Sequence, residues 1–368
     1  MTNLCINIRL LLLLTVMFPL YASGADKQES LDLPRPHGPF AVGTKTFVLT
    51  DKLRARDLIV TAWFPAVRGT AAAPYMDKRT AAELAHEWKL EIDFEGKVRT
   101  HSWLNSKVAE GSFPVVFLEH GSGVVPATST VLAEGLASSA FIVIAINHPP
   151  DSLIAVYPDG HEIKSKAYWP LEADRRTQGI AIGKFASEVL VPDVRFVLDR
   201  LQSFNSHDGF WRGHLDLSRV GIVGHSMGGT TAALATLEEP RIRAGVNLDG
   251  STYPGMNADV RPIQLHKPLL FMATEEHASD SETHAKEYAG SEGNTYYAVI
   301  AGNDHMAFSD ARLLQNRFSR DSFSDANSYE RALLEIELTT CLVNEFLGKY
   351  LRGDRAPTLD FLVRIDRK

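Results

Sequence analysis

Cysteine is nearly absent from this chain of 368 residues: only Cys5 and Cys341 occur. Cys5 falls in a leader-like segment, so a mature chain would keep a single thiol and form no internal disulfide. Such a chain must rely on its own apolar core, which a domain of this size can supply. Basic runs are missing, and the net charge of -7 argues against a nucleic-acid partner. No apolar run is long enough to span a bilayer, since Leu10 to Phe18 and its flanks reach only about 10–14 residues. Internal repeats and low-complexity tracts are absent, and no Leu-x-x-Cys pattern ends the leader, so a lipid anchor is not expected.

The segment 1–25 has the features of a secretory signal: Arg9, the apolar core Leu10 to Phe18, then small residues Ala22, Ser23, Gly24 and Ala25. Export to the periplasm or the medium is therefore expected, with no stable membrane insertion after cleavage. Residues 26–40, with Pro34, Pro36 and Pro39, read as an extended arm. Residues 41–368 then form one domain. Thr46–Leu49 and Leu58–Phe64 suit neighbouring antiparallel strands at a sheet edge, and Thr80 to Leu90 has helical spacing. From residue 114 apolar strands alternate with helices: strands at 115–118, 141–146, 220–223, 244–248, 268–272 and 295–300, and a closing helix over 329–351. Strands apolar on both faces and alternating with helices predict an α/β fold with a mainly parallel central sheet flanked by helices. Residues 150–190 interrupt the alternation and are expected to form a cap insertion.

Gly224–His225–Ser226–Met227–Gly228 matches G-x-S-x-G between a strand and a helix, the setting of a nucleophile elbow. A serine hydroxyl needs a base, and His305 follows the last strand, where such a base is expected. His266, His277 and His284 precede that strand, and His225 inside the elbow reads as packing. The orienting acid is open on these grounds: Asp249 ends the strand 244–248, while Glu275, Glu276 and Asp280 follow the next one. An oxyanion hole needs two backbone N–H donors. Met227, after the nucleophile, supplies one, and the loop His120–Gly121–Ser122–Gly123 supplies the other, with Ser122 as the expected donor and His120 as a brace.

These stretches resemble the platelet-activating-factor acetylhydrolase type II family, within the dienelactone-hydrolase-like α/β-hydrolases. The resemblance lies in Leu58 to Ala66, Phe113 to Gly123, Asp193 to Leu201, Leu217 to Gly229 and Val246 to Pro254. With His305 it spans roughly residues 40–310. It implies an α/β-hydrolase fold, the catalytic residues Ser226, Asp249 and His305 with Asp249 preferred over Glu275, oxyanion donors Ser122 and Met227, and no metal or cofactor. The expected activity is hydrolysis of small or short-acyl carboxylic esters through an acyl-enzyme, as in an acetylhydrolase or phospholipase A2-like enzyme, on a small-molecule ester substrate. An amidase, peptidase or polyester hydrolase would use the same residues, and a non-catalytic binding protein on this fold would be expected to have lost one of them.

Overall fold

Alternate residues of a strand face opposite sides of a sheet, and here both sides are apolar. In β6 (Phe113–Glu119) every residue is buried, and β7 (Ile142–Asn147) is buried over its first five. Val116, Leu118, Val143 and Ala145 join one core with Leu132 and Leu136 of α2 (Thr130–Ser138) and Val343 and Phe346 of α7 (Ala326–Leu347). Val115, Phe117, Ile142 and Ile144 join the other, with Val194, Val197, Leu198 and Leu201 of α4 (Val191–His207) and Ala232 and Ala235 of α5 (Met227–Glu238). The result is a sheet covered by helices on both faces. The computed structural model describes residues 30–90, 96–166, 174–251, 266–279, 295–302, 304–319, 326–359 and 363–364. The leader at 1–25, Asp280, His284 and, within 150–190, Tyr168 and Trp169 lie outside them.

β6 and β7 run parallel to β10 (Leu215–His225), β11 (Ile242–Leu248), β12 (Leu269–Thr274) and β13 (Thr295–Ile300), in the order β7-β6-β10-β11-β12-β13. β14 (Val363–Arg364) pairs antiparallel with β13. On the other side β2 (Ala41–Asp51) and β3 (Arg56–Ala66) form the expected antiparallel pair, with Leu49 opposite Leu58, and β3 is antiparallel to β7. They are not the edge: β5 (Val98–Leu104) lies parallel to β2, flanked by β1 (Leu31–Asp32), and β4 (Ala72–Pro74) also pairs with β5. Leu31 and Leu33 are buried, and Leu31–Asp32 pairs with β5, so the middle of the 26–40 arm is sewn into the sheet. The helix expected near residue 80 is α1 (Lys78–Glu87), capped by Asp77, whose carboxylate accepts from Thr80 N at 2.9 Å. α7 ends in a π turn, 348–352, closed by Gly353 at φ 77, a left-handed position that glycine takes without strain.

Within the interruption at 150–190, β8 (Ile154–Val156) and β9 (Glu162–Lys164) form a small hairpin. α3 (Arg175–Phe185) then runs through a π turn into α4, with Pro192 in the first turn of α4. Between β13 and α7 lies α6 (Ala311–Phe318). Among the described residues no helix is long and apolar enough to cross a membrane.

Candidate active site

Parallel strands deliver their C-terminal ends to one edge of the sheet, and the loops there carry the site. β10 ends at His225, and Ser226 takes φ 57 and ψ -119 before α5 starts at Met227. That strained backbone is the cost of turning from strand to helix in one residue. The flanking glycines are forced by contact distance: a Cβ on Gly224 would stand 2.1 Å from the Gly228 carbonyl oxygen, and one on Gly228 would stand 2.2 Å from that of Glu119. Ser226 N donates to Leu248 O at 2.9 Å, which ties the elbow to the end of β11.

Asp249 follows directly, also at positive φ (54°), and its N–H donates to Met272 O at 2.7 Å. Its carboxylate is buried and accepts from Thr274 N at 3.1 Å, His305 Nδ1 at 2.7 Å and His277 Nδ1 at 2.8 Å. Burial alone would raise this carboxyl, but the bonds from His305, His277 and Thr274 outweigh it and hold it below the usual carboxylate range. Glu275 and Glu276 are exposed just past β12, whereas Asp249 is the carboxylate that meets His305. His305 opens a 3-10 turn, 305–308, after β13. The turn is fixed from behind by Asp310, whose N–H donates to Thr128 O at 2.7 Å and whose carboxylate accepts from Thr130 N at 2.9 Å at the start of α2.

His225 braces the turn that carries His305. Its Nε2 donates to His305 O at 2.8 Å, with ring centroids 4.6 Å apart. Burial and the neighbouring His305 push it down to about 3, so it stays neutral. Among the described residues Ser226 Oγ has no hydrogen-bond partner; the bond from nucleophile to base is often long without substrate and tightens on binding.

The loop after β6 passes beside the serine: a Cβ on Gly121 would lie 3.2 Å from Ser226 Cβ. Asp151 fastens it, accepting Ser122 Oγ–H at 2.7 Å through its side chain and Gly123 N–H at 2.8 Å through its carbonyl. Burial raises the Asp151 carboxyl to about 6 against the lowering effect of the Ser122 bond. The His120 ring accepts from His148 N at 3.2 Å through Nε2, so its Nδ1 donates to Gly121 O at 2.7 Å. Burial and the charge on His148 hold His120 at about 3. Met227 heads α5, and amides in a helix's first turn have no acceptor within the helix.

Beneath this loop lies a buried ionic group that the sequence reading passed over. His148 contacts Glu119 at 2.6 Å and Asp193 at 2.9 Å, and Asp193 accepts from Arg54 and Arg56, each at 2.7 Å. Burial lowers the His148 imidazolium, but the two carboxylates prevail and raise it to about 9. Because this pKa is raised above its ordinary 6.5, the stabilisation is complete below pH 6.5 and lost as pH climbs through about 9. We expect His148→Gln to cost about 3–5 kcal/mol near neutrality, since it leaves Glu119 buried without its cation. Urea unfolding at several pH values should show the gap between wild type and variant narrowing above pH 9; a gap independent of pH would contradict the assignment. His148, Asp151 and His277 share one signal that was available: polar side chains just past the C-terminal ends of apolar strands.

Asp249, His277 and His305 are also the one group of metal-capable side chains that converges among the described residues, with ligand atoms within 4.8 Å of one another.

Comparisons with known proteins agree with this architecture. The sequence model of the family "Platelet-activating factor acetylhydrolase, isoform II" matches residues 194–356. A platelet-activating factor acetylhydrolase of Cavia porcellus is 27% identical over 283 residues, 71% of this chain and 63% of its own length. A probable 1-alkyl-2-acetylglycerophosphocholine esterase of Arthroderma benhamiae is 23% identical over 250 residues, 61% of this chain and 60% of its own. The chain thus spans about six tenths of the length of these curated relatives. Among solved structures, a ferulic acid esterase from Streptomyces cinnamoneus superposes with a TM-score of 0.72 at 28% identity, covering 90% of this chain and 96% of that one. By fold over nearly its whole length, and by sequence most clearly over 194–356, the chain is an α/β-hydrolase similar to the platelet-activating factor acetylhydrolase isoform II family.

Proposed function

We propose that the chain is a serine carboxylic-ester hydrolase, exported by its N-terminal segment, that acts on small or short-acyl esters. The observation that carries this is the Asp249–His305 couple, 2.7 Å across, held beside a strained serine elbow. In this reading Ser226 Oγ attacks the ester carbonyl while His305 Nε2 takes its proton. Asp249 holds Nδ1–H, which leaves Nε2 free as the acceptor. The Ser122 and Met227 amides stabilise the oxyanion, His305 returns the proton to the departing alcohol, and water cleaves the acyl-serine by the same steps. The relatives' names supply two acyl groups, acetyl and ferulic acid, and agree on the ester linkage. The test is a panel of aryl esters from acetyl to octanoyl with a feruloyl ester, run beside a phospholipid and an anilide. Fast turnover of the acetyl ester that falls with chain length supports the reading; turnover of the anilide alone would move it to an amidase.

The cap at 150–190 is assigned to acyl selection. Tyr157 is a fixed part of it: its hydroxyl donates to Asp57 O at 2.7 Å and its ring stacks on His161 at 4.1 Å. Replacing Tyr168 and Trp169 by alanine should shift the acyl-length profile toward longer chains at unchanged stability. An unchanged profile would reject the cap as the element that sets substrate size.

A further inference from the structure

We propose that Asp249, His277 and His305 bind a transition-metal dication of the zinc type, and that its binding switches the hydrolase off. The reading of Asp249 and His305 as acid and base gives no task to His277, yet His277 Nδ1 reaches the same carboxylate oxygen as His305 Nδ1, at 2.8 Å against 2.7 Å. The two rings are 5.5 Å apart and nearly perpendicular, at 78°, so they approach Oδ2 from separate directions and do not stack.

Two imidazole nitrogens and one carboxylate oxygen form the donor set that zinc, copper and nickel ions prefer, whereas calcium and magnesium require oxygen. Metal bonds of about 2.0–2.2 Å require the three ligand atoms to draw around a common centre. Asp249 is a preset anchor, buried and held by Thr274 N at 3.1 Å. The adjustment falls on His277, whose side chain is 43% exposed on the turn after β12.

The consequence for catalysis follows from the tautomer. A metal on His305 Nδ1 moves that ring's one proton to Nε2, with no proton lost or gained by the neutral imidazole. Nε2–H donates and cannot accept the serine proton, so the bound site has no base. Release of the metal restores the Nδ1–H bond to Asp249.

The binding half of this proposal is independent of the reaction, while the inhibition half rests on the function proposed above. The probe is Zn²⁺ in a non-chelating buffer. Equilibrium dialysis of Ser226→Ala, which keeps all three ligands, should find one tight zinc per chain. Adding His277→Gln should weaken that binding by at least about tenfold, the least that outer-shell changes cost a metal site. Wild-type ester hydrolysis should be inhibited by Zn²⁺ and restored by EDTA, with Ca²⁺ and Mg²⁺ inert, and His277→Gln should need at least about tenfold more Zn²⁺ for the same inhibition. Circular dichroism verifies the fold of each variant, and His277→Ala repeats the comparison. Zinc binding or inhibition unchanged by either His277 substitution would overturn the proposal. Zinc binding that depends on His277 in a chain with no ester turnover would keep the site and reject the proposed function.

Discussion

Ser226→Ala should abolish ester hydrolysis, lowering turnover by on the order of 10⁶, while leaving the chain folded. The elbow already carries a Cβ at φ 57, so alanine adds no strain there, and the hydroxyl has no protein partner to lose among the described residues. What would remain is the contribution of the two amides and of substrate binding, on the order of 10³–10⁴ over water. Initial rates on an aryl acetate, with thermal unfolding as the control, check this. Retention of more than a few per cent of wild-type turnover would remove Ser226 from the chemistry.

Asp249→Asn should be the next most damaging change, lowering turnover by on the order of 10³–10⁴. The asparagine amide presents N–H donors to a site that now receives bonds from His305, His277 and Thr274 N, all donated to one carboxylate. His305 would turn its Nδ1 lone pair toward that amide and carry its proton on Nε2, the tautomer that cannot act as a base. Because Asp249 is held below the usual carboxylate range, it stays ionised well into acid. Glu275→Gln, at an exposed position past β12, should change turnover little, and a large effect there would transfer the orienting role from Asp249.

The strands that position these residues were legible in the sequence because they are buried on both faces, which leaves apolar runs such as Val115–Leu118 and Ile142–Ile146. β5 was not legible: Val98–Leu104 carries Arg99, Thr100 and His101 and is only partly buried. The strands of the 154–164 hairpin are too short to show an alternation. The places of Ser226 at a strand-to-helix turn and of His305 after β13 were readable from the strand order. Which carboxylate meets His305 was not readable from spacing alone, because it depends on register: Leu248 stands beside Met272, which sets Asp249 against Thr274 and leaves Glu275 exposed. The ionic group beneath the 120–123 loop was invisible for a related reason. Arg54 and Asp193 are 139 positions apart, and no local pattern announces such a pair.

The central claim is that Ser226 is a nucleophile activated by His305. It is tested most directly by treating the purified chain with a fluorophosphonate and locating the adduct by intact-mass and peptide mass spectrometry. The account predicts one phosphonyl group per chain, on Ser226, absent from Ser226→Ala and formed far more slowly in His305→Ala. Labelling at another residue, or full ester turnover by a chain that takes up no label, would contradict it.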